Sequence, residues 1–162
     1  MSESSGPEAA VAVEAKSSEQ TRQFTTFYVE ELFFGVEVLK VQEVLRYQQM
    51  TPVPLAPPVV SGLINLRGQI VTAVDLRRRL GLGPRPAGQL PLNVVVRSED
   101  GAVCLLVDEI GDVLELAPDL YESPPENMPE KTREMIRGVY KLPGRLLLVL
   151  ATEKVLHFES GA

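Results

Sequence analysis

The sequence predicts an all-β protein with little helix, and three observations support this fold class. About nine short segments rich in β-branched and aromatic residues recur at hairpin spacing, with turn residues between them. No strand is followed by a helix long enough for a parallel β-α-β crossover. The chain has 162 residues, 44% of them hydrophobic, so it can bury a core of its own. The pattern is typical of a barrel or sandwich, including two small barrels in one chain.

The chain begins with a segment that we expect to lie outside the folded domain. Residues 1–22 are rich in Ser, Glu and Ala and hold almost no large apolar side chain, which predicts a flexible tail. The domain is therefore expected to span residues 23–158, followed by a short tail over 159–162. The first ten residues lack the basic and apolar regions of a signal peptide, so we expect a cytoplasmic protein.

The first half of the domain is predicted to contain two hairpins and a short helix. The helix is predicted for Val38–Leu45, because Val38, Val41 and Leu45 recur at helical spacing. The four prolines of Met50–Pro58 predict an extended connection. The predicted strands of the hairpins are Phe24–Val29, Leu32–Val36, Leu63–Arg67 and Gln69–Asp75.

The second half repeats this pattern of strands and turns. Ser98–Gly101 (SEDG) and Pro143–Gly144 predict two hairpin turns, and the four prolines of Ala117–Pro129 predict a long loop. Short helices are expected at Leu76–Leu80, with Asp75 as N-cap, and at Thr152–Phe158, with Thr152 as N-cap. The predicted strands are Leu92–Arg97, Ala102–Val107, Ile110–Leu116, Gly138–Leu142 and Arg145–Leu150.

Composition argues against several classes of function. A net charge of −6 disfavours a nucleic-acid partner, because binding phosphate needs a basic face. No apolar run reaches the ~18 residues of a membrane-spanning helix. A single cysteine, Cys104, and a single histidine, His157, exclude a disulfide framework and a multi-histidine metal site. Cys104 lies in the apolar run VCLLV, which predicts a buried, inert thiol, and we expect no metal and no cofactor.

Two charged clusters allow both a functional and a structural interpretation. The acidic residues of 108–115 could hold a hard cation, but the segment is a predicted strand, so we favour a solvated edge for Asp108 and its neighbours. Arg77–Arg79 could bind phosphate, but a solvated helical face is favoured. An enzyme using Asp75, Asp108 or His157 is the weakest hypothesis, because no reaction can be named for it. We therefore predict a protein that is not an enzyme.

The segment Val60–Leu80 (VSGLINLRGQIVTAVDLRRRL) combines apolar residues with a few polar exceptions. Gly62 and Gly68 permit backbone conformations that other residues resist. Asn65 is expected to bond the backbone of the turn. Arg67, beside Gly68, is by itself more typical of a surface arginine than of a recognition residue.

Five segments, in this order along the chain, carry a resemblance to a known family. They are Phe33–Glu43, Pro57–Gly68, Ile70–Leu76, Val107–Leu116 and, more weakly, Arg145–Leu156. With them the chain resembles the CheW-like chemotaxis coupling proteins over nearly all of the predicted domain. The resemblance implies two SH3-like five-stranded β-barrel subdomains with a hydrophobic groove between them.

The resemblance also implies a function and a set of contact residues. It implies a non-catalytic adaptor that couples the cytoplasmic tips of chemoreceptors (methyl-accepting chemotaxis proteins) to the regulatory domain of a CheA-type histidine kinase, in the cytoplasm at membrane receptor arrays. Val41, Gly62 and Arg67 match family positions implicated in receptor contact, and Ile110 and Val113 match groove-side positions. A receptor tip is a helical hairpin, which suits an apolar groove with one orienting charge. The alternative is a CheW-like scaffold that serves a kinase pathway of motility or development.

Overall fold

The computed structural model describes residues 21–99 and 101–158, and this part of the chain forms two β-sheets. The predicted tails, apart from Thr21 and Arg22, and residue 100 of the SEDG turn lie outside the described residues. The strands are β1 (Arg22–Val29), β2 (Leu32–Glu37), β3 (Val41–Leu45), β4 (Val60–Leu66), β5 (Gln69–Asp75), β6 (Leu92–Ser98), β7 (Gly101–Val107), β8 (Glu109–Leu116), β9 (Tyr121–Glu122), β10 (Ile136–Leu142) and β11 (Arg145–Leu150).

The two sheets divide the chain in an unequal way. The first sheet has six strands in the order β8-β1-β2-β11-β10-β9, and the second has five in the order β3-β6-β7-β5-β4. The first sheet thus takes strands from both ends of the described chain, while the second takes only the middle. The pairs β2–β11 and β5–β7 are parallel, and the other pairs are antiparallel. The chain passes between the sheets twice, from β2 to β3 and from β7 to β8.

Within the described part of the chain, the buried apolar side chains form three clusters, because most strands are covered on both faces. Successive side chains of a strand point to opposite faces, so Phe33 packs inside the first subdomain while Phe34 points toward the other sheet. In the second subdomain, Val95 is likewise interior and its neighbour Val96 points to the first sheet. We call the cluster between the sheets the seam core. Its strand residues include Phe27, Val29, Phe34, Val36, Val74, Val94, Val96, Leu105, Val107, Leu148 and Leu150.

This architecture confirms two β subdomains, and four predicted hairpins are present as β1–β2, β4–β5, β6–β7 and β10–β11. The first sheet has a sixth strand because β9, inside the predicted loop Ala117–Pro129, adds two residues to its edge. A 3₁₀ turn, Pro118–Leu120, lies just before β9. The prolines of this segment predicted a loop. Strand β9 itself contains no proline, however, and it pairs with β10 at the edge of the sheet.

Two predicted helical features are wrong. Val38–Leu45 is not a helix: Val38–Lys40 form a 3₁₀ turn, and the rest is β3. Thr152 is not the N-cap of the last helix, Thr152–Val155, because Ala151 holds that position and no side chain caps it. The helix Leu76–Arg79 does begin as expected, with the Asp75 side chain accepting a hydrogen bond from the Arg77 amide at 3.0 Å. A further helix spans Glu130–Glu134.

Candidate docking surface

One row of residues across the first sheet leads from the seam core to the surface. Thr25 on β1 pairs with Val36 on β2 and with Val113 on β8. Directly paired residues share a face, so Val113 lies on the face that Val36 buries in the seam core. Val113 is nevertheless 59% exposed, because β8 is the edge strand. The seam therefore opens to solvent beside Val113.

A β-bulge places Ile110 on the same face as Val113. The two residues are three apart, a spacing that would put them on opposite faces of a regular strand. Thr25 and Phe27, two positions apart on β1, pair with Val113 and Ile110, three positions apart on β8. Strand β8 therefore carries one extra residue here. Ile110 packs against the seam core.

The other side of this opening is formed by β3 and the turn before it. Val41 pairs with Val96 and Val44 with Val94, and both partners belong to the seam core. A second register shift, between Val41 and Glu43, lets two residues three apart share the seam face. Val41 packs on the seam core, and Val44 is 39% exposed.

The connection from β2 to β3 brings the two sides of the opening together. Glu37, the last residue of β2, pairs with Phe24, which also pairs with Leu114 beside Val113. The turn that follows β2 is therefore at the same end of the first sheet, and it carries Leu39, 85% exposed. We call the resulting surface the seam edge. Its residues are Leu39, Val41, Val44, Ile110 and Val113.

Arg67 lies across β3 from the seam edge. It occupies the turn between β4 and β5 with a φ of 55°, and Asn65 supports this turn by accepting the Gly68 amide hydrogen bond at 2.8 Å. Its guanidinium donates two hydrogen bonds to the Glu43 carboxylate, at 2.7 and 2.6 Å. These hydrogen bonds, with the charge of Arg67, lower the pKa of Glu43 despite an opposing contribution from burial. Glu43 pairs with Val95, so Arg67 reaches the side of β3 that faces away from the seam.

Gly62 is buried and its position is dictated by packing. A Cβ at this residue would lie 2.7 Å from the Thr51 carbonyl oxygen and 3.1 Å from the Met50 Cβ. The missing side chain lets Thr51 form backbone hydrogen bonds with Leu63 in both directions at 2.8 Å. These hydrogen bonds join β4, at one edge of the second sheet, to the segment that follows β3, at the other edge, so they help to close this sheet into a barrel, which we call the second barrel. Gly62 presents no surface of its own.

The five predicted contact residues thus fall into two groups. Val41, Ile110 and Val113 share the seam edge. Gly62 and Arg67 belong to the far side of the second barrel, where Arg67 is linked to the seam through Glu43 of β3.

Sequence reasoning missed a buried charged pair between the sheets. Arg77 and Asp108 are only 6% and 8% exposed, so the predictions of a solvated helical face and a solvated acidic edge are wrong at these positions. Arg77 Nη2 lies 2.8 Å from Asp108 Oδ2, and Arg77 Nε lies 3.0 Å from Oδ1. Burial opposes ionisation of Asp108, but hydrogen bonds from Arg77 and the Glu30 amide and the charges of Arg77 and Arg85 outweigh it and lower its pKa.

Arg85 and two further carboxylates extend this pair into a network. Arg85 Nε lies 2.9 Å from Asp108 Oδ1, but its N–H group is not directed at this oxygen, so the contact is an ion pair without a hydrogen bond. Arg85 Nη1 lies 3.4 Å from Asp75 Oδ1. Arg77 Nη1 donates to Glu30 at 3.3 Å. We call this group the Arg77–Asp108 network. Its residues are Glu30, Asp75, Arg77, Arg85 and Asp108.

The remaining candidates for chemistry are not brought together. Cys104 is fully buried, as predicted, and His157 is exposed. Over residues 21–99 and 101–158, no three side chains of the metal-binding types converge on one point. None of the helices in the same ranges has the length and apolar character needed to cross a bilayer.

Known proteins resemble this chain in both sequence and fold. The profile of the CheW-like domain matches residues 23–160. The chemotaxis protein CheW of Klebsiella aerogenes is 30% identical, covering 87% of this chain and 85% of the relative. CheW of Bacillus subtilis is 31% identical, covering 79% of this chain and 82% of the relative. The scaffolding protein TtCheW from Thermoanaerobacter tengcongensis shares the fold with a TM-score of 0.76 at 23% identity, over 87% of this chain and 95% of that one. The chain belongs to the CheW-like domain family.

Proposed function

We propose that this protein is a non-catalytic adaptor that couples the cytoplasmic tips of chemoreceptors to the regulatory domain of a CheA-type histidine kinase. It works in the cytoplasm, next to membrane receptor arrays. Its relatives carry the names of chemotaxis proteins, and the structural neighbour is called a scaffolding protein. The first description supports a role in chemotaxis, and the second supports a role in bringing other proteins together.

The observation that carries the receptor role is the seam edge. Four of its five residues are aliphatic side chains of β3 and β8 that share the seam face, and Leu39 and Val113 are 85% and 59% exposed. An amphipathic helix recognises such a surface by placing its apolar face in the groove. A receptor tip is a helical hairpin, so one of its helices would contact Val41, Ile110 and Val113.

Arg67 supplies an orienting charge in this proposal. Its side chain is 72% exposed although it is bound to Glu43, so the remaining guanidinium N–H groups can reach a carboxylate or carbonyl of the partner. Gly62 would act indirectly, by holding the β4–β5 hairpin in place through its contact with Thr51.

The test of the seam edge compares two substitutions of matched exposure. Val113→Asp should weaken binding to a soluble receptor-tip fragment by about tenfold or more, because it puts a charge into an apolar contact. Leu90→Asp is the control, because Leu90 is 60% exposed and lies in the loop before β6. Equal affinities for the two variants, measured by calorimetry on folded protein, would contradict the proposal.

Arg67 can be tested with a charge exchange. Arg67→Glu should weaken receptor binding while the melting temperature changes little, because the Arg67 side chain is 72% exposed and a pair with one exposed partner contributes little to stability. The double variant Glu43→Arg/Arg67→Glu restores an ion pair between the same positions. If it also restores binding, Arg67 acts only by holding Glu43, and its proposed contact with the receptor is wrong.

Kinase coupling needs a separate experiment. The protein should join a receptor fragment and a CheA-type kinase in one sedimenting complex and raise receptor-dependent kinase activity. Binding to a histidine kinase without binding to any chemoreceptor fragment would instead favour the scaffold of a motility or developmental pathway.

A further inference from the structure

The Arg77–Asp108 network lies where the chain crosses between the two sheets. Asp108 is the single residue between β7 of the second sheet and β8 of the first. Its amide donates a hydrogen bond to the Tyr28 carbonyl of β1 at 2.9 Å. Its carboxylate accepts one from the Glu30 amide, in the β1–β2 turn, at 2.6 Å. Asp108 is therefore fixed to the first sheet.

Arg77 is fixed to the second sheet. It lies in the helix that directly follows β5, and this helix is capped by Asp75, the last residue of β5. Besides its bonds to Asp108 and Glu30, its Nη1 donates to the carbonyls of Gly83 and Pro84 at 3.1 Å each. The Arg77 guanidinium thus binds Asp108, at the β7–β8 junction, and Glu30, in a turn of the first sheet. It connects both of them to the helix that follows β5 of the second sheet.

The close packing of the seam core resists rotation of the sheets, but the burial of its apolar area does not by itself select one orientation. Apolar burial is proportional to area and has no direction, so small rotations of one sheet on the other change it little. Charged hydrogen bonds depend on both distance and angle, and a planar guanidinium bound at two edges holds its partner in one geometry. Buried ion pairs add little net stability compared with apolar packing, and in some proteins their role is to specify one arrangement.

We propose that Arg77 and Asp108 are positioning residues that hold the two sheets in one relative orientation and so set the separation between Val41 and the pair Ile110 and Val113. Ile110 follows Asp108 by two residues on β8, while Val41 lies on the second sheet, so a rotation at the network changes the width of the seam edge. The consequence for receptor binding rests on the proposed function. The effect on sheet orientation does not.

The orientation can be measured with two spin labels, one on each sheet. Lys141 on β10 and Gln69 on β5 are exposed sites for labelling after substitution by cysteine. The native Cys104 is buried and can be replaced by alanine. We expect one narrow distance distribution in the otherwise unchanged chain. Arg77→Met/Asp108→Asn should broaden it and displace its mean by about 2 Å or more.

The matched control is Arg22→Met, which removes an ion pair within the first sheet, Arg22 to Glu37 at 2.7 Å. It should leave the distribution unchanged. If the double variant does not fold, the same distance is measured in Arg77→Lys, because lysine keeps the charge but lacks the planar guanidinium. An unchanged distribution in the folded double variant, or in Arg77→Lys if only that variant folds, overturns the proposal.

Receptor binding by the same variants separates this proposal from the proposed function. The double variant, or Arg77→Lys, should lose affinity for the receptor-tip fragment by about fivefold or more, with the seam-edge residues unchanged. Loss of affinity without a change in the distance distribution refutes the positioning role. Absence of binding by the native chain contradicts the receptor function, and the distance measurement still tests whether Arg77 and Asp108 hold the sheets in one orientation.

Discussion

Asp108 remains ionised although it is only 8% exposed. Removing a carboxylate from water is costly, and here Arg77, Arg85 and the Glu30 amide compensate for that cost. Replacing only the carboxylate leaves the Arg77 charge buried with weaker partners. Asp108→Asn should therefore lower the free energy of unfolding by about 3–5 kcal/mol, measured by urea denaturation at pH 7.

The same substitution predicts a pH dependence. The pKa of Asp108 in the folded chain lies below its unfolded value of about 3.9, so the unfolded chain takes up the proton first as the pH falls. The stability that Asp108 contributes is thus complete above about pH 5 and is lost as the pH falls toward the folded-state pKa. The difference in stability between the native chain and Asp108→Asn should shrink over this range. A constant difference down to pH 3 would refute this assignment.

Cys104 should be chemically inert in the folded protein. Burial, with a smaller contribution from the Glu43 charge, raises the pKa of its thiol to about 11, and the side chain is fully covered. Since the thiolate is the reactive form, a disulfide reagent at pH 8 should modify Cys104 only after unfolding by denaturant. Rapid modification of the native chain would show that the interior of the second barrel opens readily.

The residues that sequence analysis assigned correctly act locally. Asp75 caps the next helix and Asn65 bonds a turn three residues away, so their roles follow from nearby residue types. Arg77 and Asp108 are 31 positions apart, and only the fold brings them into contact. The sequence does not reveal that the chain crosses between the sheets from β7 to β8. It therefore favours a surface position for both residues.

The bulge in β8 is the element that builds one side of the seam edge. Its extra residue lies opposite Thr26, whose hydroxyl donates a hydrogen bond to the Asp112 carbonyl. Gly111 allows the close approach, because a Cβ there would lie 2.5 Å from the Thr26 Oγ1. Thr26 is fully buried, so it has little room to move.

Gly111→Ala should accordingly destabilise the protein by about 1–3 kcal/mol through overpacking. Thr26→Ala removes the clashing hydroxyl, so the double variant Thr26→Ala/Gly111→Ala should lose less stability than the two single losses added together. Gly83→Ala is the control, because a Cβ at that residue meets no atom within 4 Å. Strict additivity in denaturant titrations would mean that the bulge does not depend on this contact.

Bulges also explain why one element was predicted wrongly. Turn residues identify the hairpins directly, and these predictions were correct. In β3, a register shift lets Val41 and Val44 share a face although they are three apart. Val38, Val41 and Leu45, on which the helix prediction rested, imitate helical periodicity. In the structure they do not share one face, because Val41 packs on the seam core while Leu45 packs inside the second sheet. The hydrophobic pattern alone does not distinguish a bulged strand from a short helix.

The sequence indicated two β subdomains but not how the chain is shared between them. The first sheet joins β1 and β2 to β8 through β11, so its strands are separated by the whole second sheet. The β2–β11 contact pairs Phe34 with Leu148, more than a hundred positions apart. No local pattern predicts such a pairing. The seam edge depends on a second long-range pairing, between β1 and β8, because this pairing places Ile110 and Val113 on the first sheet while Val41 and Val44 belong to the second.

The proposed receptor function requires that the seam edge bind the receptor tip. Chemical-shift mapping of the labelled protein during titration with a receptor-tip fragment measures which residues the partner contacts. The largest perturbations should occur at Val41, Ile110 and Val113, with a smaller set at Arg67. Perturbations confined to the loop around Leu90 or to the β10–β11 turn, with the seam edge unchanged, would show that the receptor tip binds elsewhere.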